Sequence, residues 1–398
     1  METINKKLGL YIHIPFCKSK CHYCDFYSLT DYNDKFKKLY IDSLLLHMED
    51  YARSAKPYTI DTIYIGGGTP SSLPCNDLLD LIDGIYFNFN VSADAEFTIE
   101  VNPGTADHST FKKLFKSGVN RISFGMQSSC DNELQALARI HNFEDFENSY
   151  EAARRAGFEN INIDVMFGIP EQTPSSLRTT LERICALEPE HISLYGLKIE
   201  ENTPFAQIID SLNLPEEDEE VNMYFESVKY LELQGYEQYE ISNFSKSGKQ
   251  CLHNLKYWNC EDYLGLGPSA HSYYNGYRFS FKTDVEMYIE ALKNVDQDFD
   301  IIDEYYEISV SERIGEYIML RMRLNEGINT DKFFELFGLE FDKLYGKYMD
   351  NYKNEGYIIK KGKNYSFTVH GMYLSNYILA SMLDFDEKSV SKILNGVN

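Results

Sequence analysis

Tyr11-Ile-His-Ile-Pro-Phe-Cys17-Lys-Ser-Lys-Cys21-His-Tyr-Cys24 is the stretch on which the reading of this chain turns. Its apolar start continues a strand pattern over 8–14, and Pro15 closes it. Three cysteines then follow in the spacing C-x3-C-x2-C on one tight loop. Three thiolates so placed can each take one iron of a cubane 4Fe–4S cluster, which leaves a fourth iron open to another ligand. Structural zinc is the alternative. It needs a fourth protein ligand, which His13 or His22 would supply.

Outward from the loop, strand and helix signals alternate through the first 245 residues. Short β-branched or aromatic runs at 8–14, 61–65, 97–101, 121–125, 161–167 and 192–197 each end at a Gly, Pro, Asn or Ser break. Helical periodicity lies between them. At 36–51 it places Leu39, Leu44, Leu45 and Met48 on one face, and it recurs at 78–85, 110–115, 143–156, 175–187 and 216–234. Strands alternating with helices imply parallel βαβ units. Six in succession, with no dinucleotide-type Gly-rich fingerprint on the first turn, predict an α/β fold built as an open (β/α)6 partial barrel. A doubly wound sheet is the competing arrangement. Residues 235–244 predict one more strand. The stretch 246–276 is rich in Gly, His, Asn and Tyr and low in periodicity, the pattern of a functional or disordered segment, and its aromatics favour order.

A second unit begins near Ser309. Helices at 314–324, 330–337 and 341–355, a hairpin over 356–369 turning at 361–364, and a closing helix at 372–383 predict a small α+β unit of winged-helix type. Seven basic against six acidic residues between 329 and 371 deny it the basic footprint of a DNA reader, so a lid or docking role is expected. The expected division is 1–245 for the barrel, 246–305 for a connecting segment and 306–398 for the C-terminal unit.

Composition narrows the function classes. A net charge of −24 argues against nonspecific nucleic-acid binding and against docking on an anionic membrane. No apolar run has the length of a membrane span, and the polar, lysine-bearing N-terminus carries no cleavage site, so a cytoplasmic protein is expected. Cys75, Cys130, Cys185, Cys251 and Cys260 are scattered and read as buried small hydrophobes, not as a disulfide framework.

The phrase running from Tyr11 through Cys24-Asp-Phe26 resembles the branch of the radical S-adenosylmethionine (SAM) family that contains oxygen-independent coproporphyrinogen III dehydrogenase and the HemW-type haem chaperones. The resemblance covers nearly the full chain. Each successive strand carries a family-like motif at its C-terminal end, where barrels place their sites. These are Gly66-Gly-Gly-Thr-Pro70, Glu100 in Glu-Val-Asn-Pro, Ser123-Phe-Gly-Met-Gln127 followed by Arg139, Asp164 in Ile-Asp-Val-Met-Phe, and Tyr195-Gly196. The resemblance implies that Cys17, Cys21 and Cys24 hold the cluster. It also implies that Tyr11, Tyr23, Gly67, Gly68, Thr69, Glu100, Gln127, Arg139, Asp164 and Gly196 contact SAM. In the dehydrogenase, residues matching Gln127, Arg139 and Asp164 contact a second SAM. Read alone, Gly66–Pro70 is equally a turn, and Glu100 equally a strand-end charge.

Three features separate the relatives. Phe26 stands where the dehydrogenase has a further cysteine, few residues precede Leu8 where it has an N-terminal extension, and His253-Asn-Leu-Lys-Tyr257-Trp258 resembles the HNxxYW signature associated with haem in the chaperones. The resemblance therefore implies a haem chaperone that binds cluster, SAM and haem and delivers haem to respiratory haem proteins. In it His253 would be the axial ligand and Tyr257 and Trp258 slot walls, with His271 and Cys251 next in line as ligands. The alternative is the dehydrogenase, which decarboxylates coproporphyrinogen III to protoporphyrinogen IX. On residue chemistry alone, His253 and Asn254 equally hydrogen-bond a loop while Tyr257 and Trp258 pack.

Overall fold

The computed structural model describes residues 6–293 and 301–383. Its first half follows a strict rhythm: β1 (Lys6–Ile14), α1 (Asp34–Ala55), β2 (Tyr58–Gly67), α2 (Cys75–Asn88), β3 (Val91–Val101), α3 (His108–Lys116), β4 (Arg121–Gln127), α4 (Asp131–Ala136), α5 (Phe143–Ala156), β5 (Ile161–Phe167), α6 (Pro174–Ala186) and β6 (His191–Gly196). Each of the six strands pairs in parallel with the next. The strand order therefore never reverses, as it must in a doubly wound sheet. The twisted sheet curls one way and makes an open partial barrel.

Local chemistry explains the element ends. α5 starts on a capping box in which Asn142 and Asp145 satisfy each other's backbone N–H groups, and it stops at Gly157 in the left-handed conformation at φ 111°. α6 starts the same way on Thr173 and Ser176, with Pro174 at its first position. Alternation within the strands then sorts the faces. Leu10, Ile12, Ile63, Ile65, Phe97, Ile99, Ile122, Phe124, Ile163, Val165, Ile192 and Leu194 join the helices in one large apolar core. Their neighbours in sequence, from Thr62 and Tyr64 to Asn162, Asp164 and Ser193, form the inner face. Closed barrels fill that face with branched aliphatic side chains. Here it is almost wholly polar, so it encloses a cavity and not a second core.

After β6 come α7 (Pro204–Gln207), α8 (Glu217–Leu233), β7 (Glu237–Gln238), β8 (Asn243–Ser245), α9 (Leu252–Trp258), β9 (Tyr263–Leu266), β10 (His271–Tyr274), β11 (Tyr277–Phe281), α10 (Val285–Lys293) and β12 (Ile302–Glu307). The sheet order is β12-β11-β10-β9-β1-β2-β3-β4-β5-β6-β8-β7. The single strand expected over 235–244 is two short ones. Gln238 turns inward to hydrogen-bond Tyr224 and the Ile241 carbonyl, and the chain reverses so that β8 can run antiparallel to β6. The low-periodicity stretch carries α9, β9 and β10, each too short to show a period. β9 runs parallel beside β1, so the sheet gains a seventh parallel strand on that edge.

The C-terminal unit comprises α11 (Val310–Arg321), β13 (Ile328–Asn329), α12 (Thr330–Phe337), α13 (Phe341–Asn354), β14 (Ile358–Lys361), β15 (Asn364–Phe367), α14 (Val369–Tyr373) and α15 (Ser375–Leu383). Its three strands are ordered β13-β15-β14, the hairpin turns over Gly362, and a separate apolar cluster fills it. The expected closing helix is broken at Leu374. The unit meets the barrel where Glu240 bridges Leu324 and the Asn325 N–H donates to the Tyr239 carbonyl at 2.9 Å. Among the described residues no helix is long and apolar enough to cross a membrane.

Candidate functional site

The cysteine loop is tied down at both ends and in the middle. The Cys17 N–H donates to the Leu29 carbonyl at 2.9 Å, His22 N–H to Leu137 at 3.3 Å, and Phe205 N–H to the His22 carbonyl at 3.1 Å. The glycine turn after β2 locks its base: Gly68 N–H reaches the Ile14 carbonyl at 2.8 Å and Thr69 N–H that of Phe16 at 2.7 Å. A Cβ on Gly68 would lie 2.8 Å from the Phe16 carbonyl oxygen and 2.9 Å from that of Ile14. The glycine is thus required by the approach of two backbones, whatever ligand lies beyond it.

Side chains reach the sulfurs from two more strand ends. The Thr69 hydroxyl accepts from Asn102 Nδ2 at 2.9 Å and faces Cys17 Sγ at 3.4 Å. Arg139 donates from Nη1 to Cys21 Sγ at 3.4 Å and from Nη2 to Asn102 Oδ1 at 2.8 Å and to the Gly125 carbonyl. Burial pushes the Cys17 and Cys24 thiols up from their ordinary range, so it is the opposing donors and a bound cation that favour thiolates. His13, one zinc ligand considered from the sequence, has both ring nitrogens engaged. Nδ1 meets the Tyr11 hydroxyl at 2.9 Å and Nε2 the Tyr27 carbonyl at 3.1 Å.

The three cysteines edge a cavity of about 640 Å³ at the C-terminal ends of the strands. Tyr23, Gly67, Gly68, Thr69, Glu100, Gln127, Arg139, Asp164 and Gly196 line it with them. Tyr11 does not. Its hydroxyl is spent on His13, and its ring lies beside Tyr64 below the glycine turn. Glu100 is fixed by Tyr64, which donates to Oε1 at 2.8 Å, and by Gly67 N–H, which donates to Oε2 at 3.0 Å. Gln127 sits at φ 70°, a strained backbone for a non-glycine residue, and accepts from the Tyr195 hydroxyl at 2.7 Å. A fixed carboxylate, an adjacent guanidinium whose Nε has no partner, and backbone-lined glycines are a donor set that fits a zwitterionic, cationic ligand next to a thiolate-held cluster.

Burial raises the Glu100 carboxyl to about 7, against the opposing hydrogen bond from Tyr64. The sign follows. Between about 4.5 and 7 the folded chain holds a proton here that the unfolded chain has lost, so this group's contribution to stability falls as pH rises through that window. Glu100→Gln should therefore stabilise ligand-free protein at pH 8 by on the order of 2 kcal/mol, seen as a higher melting temperature, with little change at pH 4.5. Thermal melts of the two proteins at both values check this. An equal gain at both would show that titration of Glu100 is not the cause.

Below Asp164 a hydrogen-bond chain runs through the barrel. Asn162 Nδ2 donates to Asp164 Oδ1 at 2.7 Å and to Ser123 Oγ at 2.8 Å, so its Oδ1 is the acceptor for His191 Nδ1 at 2.6 Å. His191 Nε2 then accepts from Tyr239, 2.8 Å away, and the Tyr239 hydroxyl accepts from the Cys251 N–H at 3.3 Å. The chain ends at α9, which closes the barrel floor. Glu96, buried on β3, accepts from the Leu252 and His253 N–H groups at 3.1 and 3.0 Å and faces Cys251 Sγ at 3.6 Å.

This floor is where the HNxxYW segment lies, not at the barrel mouth. His253 is 0% exposed. Its Nδ1 meets Thr62 Oγ1 at 2.9 Å, its Nε2 meets the Tyr257 hydroxyl at 2.8 Å, and its ring stacks on Tyr64. The imidazole presents no free nitrogen to an iron. Tyr257 packs edge-on against Tyr263. Of the segment, Asn254 faces the cavity; His253, Tyr257 and Trp258 do not. Cys251 is buried and its thiol is pushed up to about 12 by burial, whereas His271 is exposed on β10. Tyr64, Asn102, Arg121, Asn162 and Asn243 line the cavity without having been singled out. For Tyr64, Arg121, Asn162 and Asn243 the signal was present as the polar half of a strand's alternation, whereas Asn102 lies just past the end of β3.

Residues 11–184 match the Radical SAM superfamily model, and residues 308–374 match the HemN C-terminal domain. The chain is 36% identical to "Heme chaperone HemW" of Bacillus subtilis over 94% of this chain and 98% of that protein. It is 33% identical to the protein of the same description from Escherichia coli, again over 94% and 98%. Among solved structures, coproporphyrinogen III oxidase (HemN) from Escherichia coli superposes with a TM-score of 0.84 at 22% identity, covering 96% of this chain and 91% of that one. That likeness is one of fold.

Proposed function

The chain belongs to the HemW family of haem chaperones within the radical SAM superfamily, and from that premise we propose that it binds haem and hands it to respiratory haem proteins in the cytoplasm. Cys17, Cys21 and Cys24 hold a 4Fe–4S cluster in this reading. Thr69, Glu100, Gln127 and Arg139 hold SAM beside it, with Asp164 and Gly196 behind. The cluster, when bound, supplies a reductant for the sulfonium of SAM. In a chaperone that capacity serves to gate or stabilise the haem-loaded state. The observation that carries the choice between relatives is Phe26. It is 69% exposed at the cavity rim, where the dehydrogenase has a thiol, and it offers an apolar face to a porphyrin plane.

The second reading, coproporphyrinogen III dehydrogenase, is favoured by the fold it shares with HemN. One experiment separates them. Reconstituted protein is incubated without oxygen with coproporphyrinogen III, SAM and a reductant, and titrated with haem in parallel. The chaperone reading expects a saturable haem band and no protoporphyrinogen IX. Turnover to protoporphyrinogen IX would replace it with the dehydrogenase.

A further inference from the structure

Asn102 directly follows β3 and is fixed there through its backbone. Its N–H donates to Ser71 Oγ at 3.2 Å, and its carbonyl accepts from the Thr105 N–H at 3.2 Å. Its carboxamide then stands between the two side chains that reach cysteine sulfurs. Oδ1 accepts from Arg139 Nη2 at 2.8 Å, and Nδ2 donates to Thr69 Oγ1 at 2.9 Å. A glycine of β4 makes room for this bracket. A Cβ on Gly125 would lie 3.0 Å from Asn102 Oδ1 and 3.2 Å from Arg139 Nη2.

The chemistry of these groups leaves one arrangement. A guanidinium only donates, so the amide oxygen must face Arg139 and the amide nitrogen must face Thr69. Thr69 Oγ1 accepts from that nitrogen, and its own proton is left for Cys17 Sγ, 3.4 Å away. Thr69 is 2% exposed, so bulk water does not compete for that proton. Arg139, held through Nη2 by Asn102 and the Gly125 carbonyl, turns Nη1 onto Cys21 Sγ at 3.4 Å. Donors to the sulfurs of an iron–sulfur centre stabilise its reduced, more negative state and so raise its reduction potential. The structure assigns Asn102 as the positioning residue that aims both donors at the sulfurs and thereby sets the reduction potential of the centre the cysteines hold. The assignment rests on the reading of Cys17, Cys21 and Cys24 as cluster ligands.

The test is a redox titration of full-length protein reconstituted without oxygen and without SAM, read by electron paramagnetic resonance of the reduced cluster. Iron and sulfide are counted first in each protein. Thr69→Val removes the donor to Cys17 at nearly constant shape and should lower the potential. A roughly tenfold loss of preference for the reduced state, about 59 mV for a one-electron couple, is the expected size of one hydrogen bond to a charged centre. Thr69→Ser keeps the hydroxyl and should stay near wild type. Asn102→Asp keeps an acceptor for Arg139 but puts a second acceptor where the amide nitrogen was. The Thr69 proton then turns from Cys17 to the new carboxylate, and the added negative charge acts in the same direction, so the potential should fall at least as far. In the Thr69→Val background the same Asp change should lower it by less, because the route through the hydroxyl is already cut. A Thr69→Val potential equal to wild type, or Asn102 and Thr69 effects that simply add, overturns the assignment while the cluster reading stands. Should Asn102→Asp take up no cluster, Asn102→Leu, which frees both donors, should lower the potential, and an unchanged value there overturns the assignment as well. Wild type holding zinc and no sulfide defeats the cluster reading and the assignment together.

Discussion

Cys21→Ala is expected to abolish the iron–sulfur cluster while leaving the fold intact. Wild-type protein reconstituted without oxygen should hold about four irons and matching sulfide per chain, because three thiolates suit a cubane with one open iron. The variant should hold close to none. The loop itself does not depend on the sulfur. Its backbone is fixed through Cys17, Cys24 and His22, and the Cys21 contribution to that is its carbonyl, which accepts from Cys24 N–H at 3.2 Å. Melting temperature and circular dichroism should therefore stay near wild type while iron, sulfide and the brown absorption band disappear together. The partner that Cys21 does have is Arg139, which donates to it from Nη1 and stays held through Nη2 by Asn102 and Gly125 when the sulfur is gone. One zinc per chain with no sulfide in the wild type would instead establish the tetrahedral site, with His22 as its remaining candidate ligand.

What the sequence disclosed, and what it withheld, follows from the range of the interactions concerned. The cysteine spacing and the glycine turn are local, and they sit in the structure where their neighbours in sequence put them. α5 spans 143–156 as expected because Asn142 and Gly157 mark both its ends chemically. β3 begins at Val91, six residues before the expected start, because Ala93, Asp94, Ala95 and Glu96 lack the β-branched signature; the strand is carried into the sheet by Val91 on Ile60 and Glu96 on Thr62, with an irregularity between them. Tyr11 illustrates the limit for single side chains. Its place in the motif resembles that of a SAM contact, but period 2 turns it into the barrel two residues below the turn, against His13. Arg121, His191 and Tyr239 were silent for the same reason. Each owes its position to partners 23 to 48 residues away, and no window along the chain holds both halves of such a pair.

His253→Ala is the substitution for which sequence and structure give opposite expectations. As an axial ligand, His253 would when lost shift the haem band and leave the apoprotein alone. As the central hydrogen-bonding group of the barrel floor, it would do the reverse. In the structure the ring fills the space under Tyr64, beside Gly9, where even a Cβ would come within 3.4 Å of it. Burial lowers its pKa to about 3, so it is a neutral imidazole that donates through one nitrogen and accepts through the other. Alanine orphans the Thr62 and Tyr257 hydroxyls in a site with no solvent and leaves a void the size of the ring. Together these cost about 2–4 kcal/mol, a large share of the stability of an ordinary domain. His253→Ala should thus melt many degrees lower, and His253→Gln, which keeps a donor and an acceptor, should recover part of the loss. At low temperature, where both remain folded, haem should bind to them with the wild-type spectrum, and the search for a ligand passes to the exposed His271. A shifted band in His253→Ala with an unshifted melting curve would mean that α9 leaves the floor when haem arrives, exchanging Thr62 and Tyr257 for iron.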